Sequence, residues 1–341
     1  MILFQGATLS RLAVILVFLN GFLFPALVDL PDASARSWPS NGKAKASAKQ
    51  TAAGKEKKVV KRDVQAKAAY CVNLASNRTL LAKNPDTQLP VASLTKLMTA
   101  LVTLDHMPLD KKIEVPEVVR KIPKSVVGLK PGDHVSVKDL LHGLLMASGN
   151  DCAETLAAAF PGGRDKFVAA MNKKARSMGV ERTRFYTPSG LDRKDVRSGE
   201  DDQKSVDVKS NVSTAREIAL IARQAFAHKA IKDISLKRYY TLASSNSSNG
   251  YPVRNTNKLL RDNLPLEGGK TGYTVRAGHC LATKFHPGHN ILLIVVLGSP
   301  DHFKDTRLIY NKALRKAGGA NEKVHTRISD TAKPRPRGLG G

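Results

Sequence analysis

Strand-like segments lie at both ends of the foldable part of this chain, and a long helix-rich block separates them. That order restricts the fold more than any single motif does. Ala68-Ala-Tyr-Cys-Val-Asn-Leu74 and Arg78-Thr-Leu-Leu-Ala82 read as two strands about a short polar turn. Tyr239-Tyr-Thr-Leu242, Tyr273–Phe285 and Asn290–Leu297 read as strands too, punctuated by Gly268-Gly269 and Pro287-Gly288. Between the two groups, Ser136-Val-Lys-Asp139 is a capping box that opens a helix with Leu140, Leu141, Leu144 and Leu145 on its inner side. Further helices run from Asp151 to Ala159, from Arg164 to Met178, and from the capping box Thr214-Ala-Arg-Glu217 to about His228. A last one, His302 to Ala317, stops at Gly318-Gly319. Strands that come from both ends must meet in one sheet. The expected fold class is therefore α/β of the α+β type: an antiparallel sheet flanked by helices, with an inserted all-helical subdomain at roughly 110–230. A cleft between the two parts is the natural place for chemistry.

The ends of the chain read differently. In residues 1–35, Arg11 precedes an apolar run, Leu12 to Val28, and Ala33-Ser-Ala35 offers a small-x-small cleavage site. This is an export signal or a retained N-terminal anchor; both place the rest in the periplasm or elsewhere in the extracytoplasmic envelope. Residues 36–63 are a basic flexible linker, and 319–341, with Pro334 and Pro336, a disordered tail. The chain's net charge is +26, of which residues 41–67 hold +7. Such a charge suits an anionic partner. Basic residues are not interleaved with aromatics, so nucleic acid is not the expected one; the linker suits an anionic membrane or wall polymer. Cys71, Cys152 and Cys280 lie far apart, without CxxC or Cys/His metal spacing. They read as small buried side chains, and neither metal nor cofactor is expected. Oligomeric state is not legible.

Leu89-Pro-Val-Ala-Ser-Leu-Thr-Lys-Leu-Met-Thr-Ala-Leu-Val-Thr-Leu104 reads as a buried helix. Its first turn carries Ser93 and, one turn on along the same face, Lys96. Serine is a weak nucleophile without a base in reach, and a lysine desolvated on an apolar face can be that base. The tetrad alone decides nothing, since Ser40 and Lys43 repeat it in the linker. Ser148-Gly-Asn150 lies in an interhelical turn and would be unremarkable by itself. Lys270-Thr-Gly272 occurs once, ahead of alternating strand residues, where its glycine can let a substrate backbone approach.

The three together, in this order, are the set found in penicillin-binding proteins and class A β-lactamases. With Pro90–Ala100, Ala147–Asp151, Thr187-Pro-Ser-Gly-Leu-Asp192, Ser213-Thr-Ala-Arg216 and Gly269–Thr274, residues 64–318 resemble the low-molecular-mass penicillin-binding proteins. More narrowly, they resemble the serine-type D-alanyl-D-alanine carboxypeptidases of peptidase family S11. The resemblance implies a β-lactamase/DD-peptidase-like fold and a catalytic domain over 64–318. It implies peptidoglycan stem peptides as substrates and β-lactams as ligands. Ser93 would attack the carbonyl between two D-alanines, with Lys96 taking its proton. Ser148 would relay a proton to the leaving nitrogen. Asn150 would bind substrate backbone or place Lys96. Lys270 and Thr271 would bind the terminal carboxylate. Gly272 would lie against the substrate, and the amides of Ser93 and of Thr274 or Tyr273 would hold the oxyanion.

The sequence departs from the family pattern in two places. Asn255-Thr-Asn257 has Thr256 where relatives often carry an arginine, and a polar insert, Arg193 to Val212, reads as a surface loop near the site. Three other readings compete with the carboxypeptidase. One is a DD-endopeptidase cutting cross-links, one a penicillin-binding sensor without turnover. The last is a β-lactamase, for which Glu181 and Glu200 lack the expected surroundings.

Overall fold

The computed structural model describes residues 63–198 and 204–317. The export signal or anchor (1–35), the linker (36–63, Asp63 apart) and the tail (319–341) lie outside the described residues. β1 (Ala68–Asn73) and β2 (Arg78–Lys83) form the hairpin their sequence suggests. β3 (Leu89–Pro90) leads into a 3-10 turn, Ala92–Leu94, and then α1 (Thr95–His106). The single helix read from Leu89 is thus divided: Ala92 has a φ of 47°, a left-handed conformation no helix interior accepts, and Ser93 sits in the tight turn that follows.

β4 (Lys112–Glu114) and β5 (His134–Ser136) pair as a short ribbon ahead of α2 (Val137–Met146). Ser136 caps α2, its Oγ accepting from the Asp139 N–H at 3.0 Å. α3 (Asn150–Ala158) and α4 (Gly163–Ser177) follow. The insert read as a loop is instead a hairpin, in which β6 (Arg193–Ser198) pairs antiparallel with β7 (Lys204–Lys209). Its physical reason is the period-2 placement of Val206 and Val208, which suits a strand. β8 (Val212–Ser213) pairs with β3. Thr214 caps α5 (Ala215–Ala227), which passes directly into α6 (Lys229–Leu236). β9 (Tyr239–Leu242) and β10 (Tyr251–Arg254) form another ribbon. The remaining elements are β11 (Leu266–Thr274), β12 (Gly278–Phe285), β13 (Leu292–Ser299) and α7 (His302–Lys316). The stretch Tyr273–Phe285, read as one strand, is divided by the β11–β12 turn, where the Ala277 N–H donates to Thr274 Oγ1 at 3.1 Å.

Five strands make one antiparallel sheet in the order β11-β12-β13-β1-β2, so the two strand groups meet where β1 pairs with β13. The sheet is buried on both faces, which β13 shows residue by residue. Leu293, Val295 and Leu297 join the core shared with the helical block, while Leu292, Ile294 and Val296 join the core under α7. Each such side chain contributes roughly 1.5–3 kcal/mol by leaving water. The mixed α/β architecture is the expected one. The block between the strand groups is mainly helical, with the short ribbons β4–β5 and β6–β7 added. All three cysteines are buried and unpaired, and burial pushes the Cys71 thiol up to about 12.

β11 ends the sheet on the side of the Ser93 turn. A Cβ on Gly272 would stand 3.0 Å from the Ser93 amide nitrogen and 3.2 Å from that of Leu94. What approaches this glycine is the backbone of the 3-10 turn, which explains why a side chain is absent there.

Candidate active site

Three elements bring the site together: the 3-10 turn with the start of α1, the α2–α3 turn, and edge strand β11. The α1 face that carries Lys96 is buried among Leu97, Met98 and Leu101, as its apolar spacing requires, and Lys96 itself is 0% exposed. Its Nζ lies 2.9 Å from Ser93 Oγ, 2.7 Å from Asn150 Oδ1 and 2.5 Å from the Ser189 carbonyl. Burial pulls Lys96 down to about 7, while Cys152, Glu154 and Asp151 act in the opposite sense. Near neutral pH a large fraction is therefore the free amine, which has two N–H bonds and one lone pair. The Asn150 and Ser189 oxygens can only accept, so they take both N–H bonds. The lone pair is left pointing at the Ser93 hydroxyl, the arrangement a general base needs.

The α2–α3 turn holds Ser148 with a φ of 61°, a strained position for a serine. Its Oγ accepts from Lys270 Nζ at 3.0 Å. Among the described residues no hydrogen bond joins Ser148 to Ser93 or Lys96; Ser148 is tied to the strand side of the cleft. Asn150 begins α3, and its side chain is committed at both ends, to Lys96 through Oδ1 and to the Lys124 carbonyl through Nδ2 at 3.1 Å. The next residue, Asp151, accepts from the N–H groups of Val127, Gly128 and Leu129 at 3.0, 2.9 and 3.1 Å. It clasps the loop before β5 onto the turn.

On β11, Lys270 is 1% exposed and donates to Ser148 Oγ and, at 2.8 Å, to the Thr271 carbonyl. No third acceptor for it occurs among the described residues. Burial, reinforced by the charge of Lys96, holds Lys270 well below the ordinary lysine range. Thr271 Oγ1 meets Thr256 Oγ1 at 2.5 Å, at an exposed position on the rim. Gly272 lies against the Ser93 turn, and Thr274 ends the strand.

Lys96 thus joins Ser93 to Asn150, Lys270 joins Ser148 to Thr271, and Gly272 lies against the Ser93 turn, while Thr274 is placed only as the end of β11. Sequence reasoning missed Asp151, Ser189 and Asn211, which hold the others. Asp151 and Ser189 stand inside the recognised segments Ala147–Asp151 and Thr187–Asp192, the one signal that marked them. Asn211 had none beyond lying two residues before Ser213. Among the described residues no group of three or more His, Cys, Asp or Glu side chains is placed to hold a metal.

Comparisons with known proteins show the family and the fold. The profile of the D-alanyl-D-alanine carboxypeptidase family, peptidase family S11, matches residues 53–301. The D-alanyl-D-alanine endopeptidase of Escherichia coli K12 is 36% identical over 249 residues, 71% of this chain and 75% of that protein. The crystal structure of a D-alanyl-D-alanine carboxypeptidase from Mycobacterium tuberculosis H37Rv superimposes with a TM-score of 0.65 at 30% identity, covering 77% of this chain and 94% of the other. Penicillin-binding protein D2 of Listeria monocytogenes, solved in its cefotaxime-bound form, has a TM-score of 0.63 at 28% identity over 74% of this chain and 98% of its own.

Proposed function

The chain belongs to the D-alanyl-D-alanine carboxypeptidase family and is a serine-type hydrolase, and from that premise we propose that it removes the terminal D-alanine of peptidoglycan stem peptides through an acyl-enzyme on Ser93. The observation that carries this reading is the Lys96 amine, dry and with its lone pair directed at Ser93 Oγ. Ser93 Oγ bonds to the carbonyl carbon between the two D-alanines as its proton passes to Lys96. The oxyanion forms between the amides of Ser93 and Thr274. The C–N bond then breaks, and the leaving D-alanine nitrogen takes the proton that Lys96 received, relayed by Ser148 with the support of Lys270, which restores the Lys96 amine. Water next attacks the acyl carbon as its proton passes to the restored Lys96 amine; the acyl C–Oγ bond then breaks, and Lys96 returns that proton to Ser93 Oγ, freeing the shortened peptide. Asn150 holds Lys96. The terminal carboxylate sits on the open valence of Lys270 and on Thr271, a charge-assisted contact. A β-lactam, whose strained amide offers the same carbonyl and carboxylate, acylates Ser93 in the same way.

The reaction takes place outside the cytoplasm, where peptidoglycan is; residues 1–35 supply export or an anchor, and the basic linker contacts anionic envelope polymers or lipid. Among the described residues no helix is long and apolar enough to cross a membrane. One observation favours a second reading. The Escherichia coli relative is named an endopeptidase, and Thr256 leaves the carboxylate end with less positive charge than the arginine often found at this place in the family would give. A substrate whose leaving group is a cross-linked residue would suit such an end.

The test is to incubate the purified chain with a stem pentapeptide and with a cross-linked dimer, following D-alanine release against dimer cleavage. Faster D-alanine release is the expected result. Dimer cleavage alone selects the endopeptidase, penicillin labelling of Ser93 with no turnover selects a sensor, and no label on Ser93 overturns the assignment.

A further inference from the structure

The strap of residues 186–191 crosses the start of α1, and one buried side chain outside the motifs secures it. Asn211 is 1% exposed and uses every hydrogen-bonding valence of its amide. Its Oδ1 accepts from the N–H groups of Tyr186 at 2.7 Å and Thr187 at 3.1 Å. Its Nδ2 donates to the Thr187 carbonyl at 2.8 Å and to Thr95 Oγ1 at 3.0 Å. Its main-chain oxygen accepts from the Val91 N–H at 3.1 Å, ahead of the Ser93 turn. A clasp serving the strap alone would need no partner on α1. This one grips the residue beside Lys96.

The strap is fitted closely to the nucleophile's turn. A Cβ on Gly190 would lie 2.1 Å from the Ala92 carbonyl oxygen, so only glycine permits this approach. Thr99 Oγ1, one turn along α1, donates to the Pro188 carbonyl at 2.6 Å. Between these anchors the Ser189 carbonyl accepts from Lys96, and Ser189 Oγ donates to Glu154 Oε1 on α3 at 3.4 Å.

We propose that Asn211 is a positioning residue for Lys96: it holds the 186–191 strap on α1, and the strap's Ser189 carbonyl fixes the amine and seals its site from water. This inference rests on the reading of Lys96 as general base. If the strap lifts, water reaches Lys96 and restores the solvation of its ammonium form. The Asp151 and Glu154 carboxylates and Cys152 on α3 already favour that form, and Lys270 on β11, a like charge, opposes it. Loosening therefore raises the proton affinity of Lys96 and moves the acid limb of acylation to higher pH.

The experiment compares wild type, Asn211→Asp and Thr99→Val as full chains. It measures the acylation rate of Ser93 by labelled penicillin from about pH 5 to about pH 9, with a thermal melt of each protein. N211D keeps the two acceptor bonds and sets an oxygen against the Thr187 carbonyl; T99V removes the other anchor without changing volume. The expected result for N211D is acylation about tenfold slower at neutral pH, since small misplacements cost up to about 10²-fold. Its acid limb moves to higher pH, and T99V shifts the limb the same way by less. A clasp that is only structural lowers the melting temperature and leaves the T99V limb, which no added charge can move, where it is in wild type. Folded variants with the wild-type limb overturn the inference, and if N211D does not fold, T99V decides. A wild type that takes no label on Ser93 overturns the functional reading instead, so the two failures are distinct.

Discussion

The two ends of the cleft are each built around a buried lysine bonded to a serine, and they differ in how many partners the lysine has. Lys96 has three oxygen partners, the acceptors Asn150 and Ser189 and the Ser93 hydroxyl that faces its lone pair, and carboxylates nearby on α3. Among the described residues Lys270 has two, Ser148 and its neighbour's carbonyl, and the charge acting on it is that of Lys96. A saturated amine with a fixed lone pair is equipped to move a proton. An undersupplied amine on β11, beneath the rim, is equipped to receive an anion. The same residue type, equally dry, is thus assigned to two tasks by the number of fixed oxygens around it.

The largest effect expected from breaking this contrast is at the saturated end. Lys96→Arg keeps a cation but puts in a group that does not lose its proton. Acylation by labelled penicillin should fall about a thousandfold, in the range a lost general base costs. The wild-type rate should rise through about pH 7, where the Lys96 amine forms, and the residual K96R rate should lack that limb. A K96R rate within tenfold of wild type would mean that Lys96 is not the base. Next comes Lys270→Met. Losing one charge-assisted hydrogen bond, about 2 kcal/mol, should raise KM for a carboxylate-terminated peptide about thirtyfold. The readout is steady-state kinetics, with kcat falling less than KM rises. A loss confined to kcat would place Lys270 in proton transfer and erase the difference between the ends.

The sequence made the local half of this picture legible. The apolar spacing of Leu97, Met98 and Leu101 was enough to bury Lys96, and the order of strand and helix segments was enough to pair β1 with β13. What it hid are relations over distance. Lys96 finds its acceptors 54 and 93 positions away, and Asn211 reaches Thr95 across 116. An asparagine in a polar stretch looks the same whether it clasps a strap or faces water. Weak local signals account for the rest. Pro252 removes a ladder donor and disguises β10. α6 follows α5 with only His228 between them, so its short apolar period merges with its neighbour's. The β11–β12 turn keeps the alternation of the strands on either side and so reads as continuous.

A smaller effect concerns the undersupplied end alone. Lys270 is held well below the ordinary lysine range in the free protein. An arriving carboxylate supplies the missing partner and raises its proton affinity, so binding takes up a proton. Affinity for an anionic ligand should therefore weaken as pH rises above neutrality, by at most about tenfold per pH unit for one linked proton. Calorimetry of ligand binding in two buffers of different ionisation enthalpy measures the uptake directly. Uptake of up to one proton is expected, and it should vanish in Lys270→Met. Binding without proton exchange in wild type would show that Lys270 is already charged, and that its lack of partners does not set its state.

The smallest effect sharpens the contrast by adding charge. Thr256 is exposed on the rim and reaches the same cleft wall as Thr271, with their hydroxyls 2.5 Å apart. Thr256→Arg places a guanidinium beside the open valence of Lys270, and the position is open enough for the longer side chain to avoid the core. An exposed pair contributes about 0.2–1 kcal/mol, so KM for the pentapeptide should fall by about 1.4- to fivefold with kcat nearly unchanged. That gain should shrink with added salt, because the contact is solvated. The limb near pH 7 should stay in place, because the Lys96 surroundings are untouched. If T256R moved that limb, the two lysines would be titrating as one unit. If KM rose instead, the carboxylate would lie elsewhere, and a cross-linked leaving group would be the better fit to this end of the cleft.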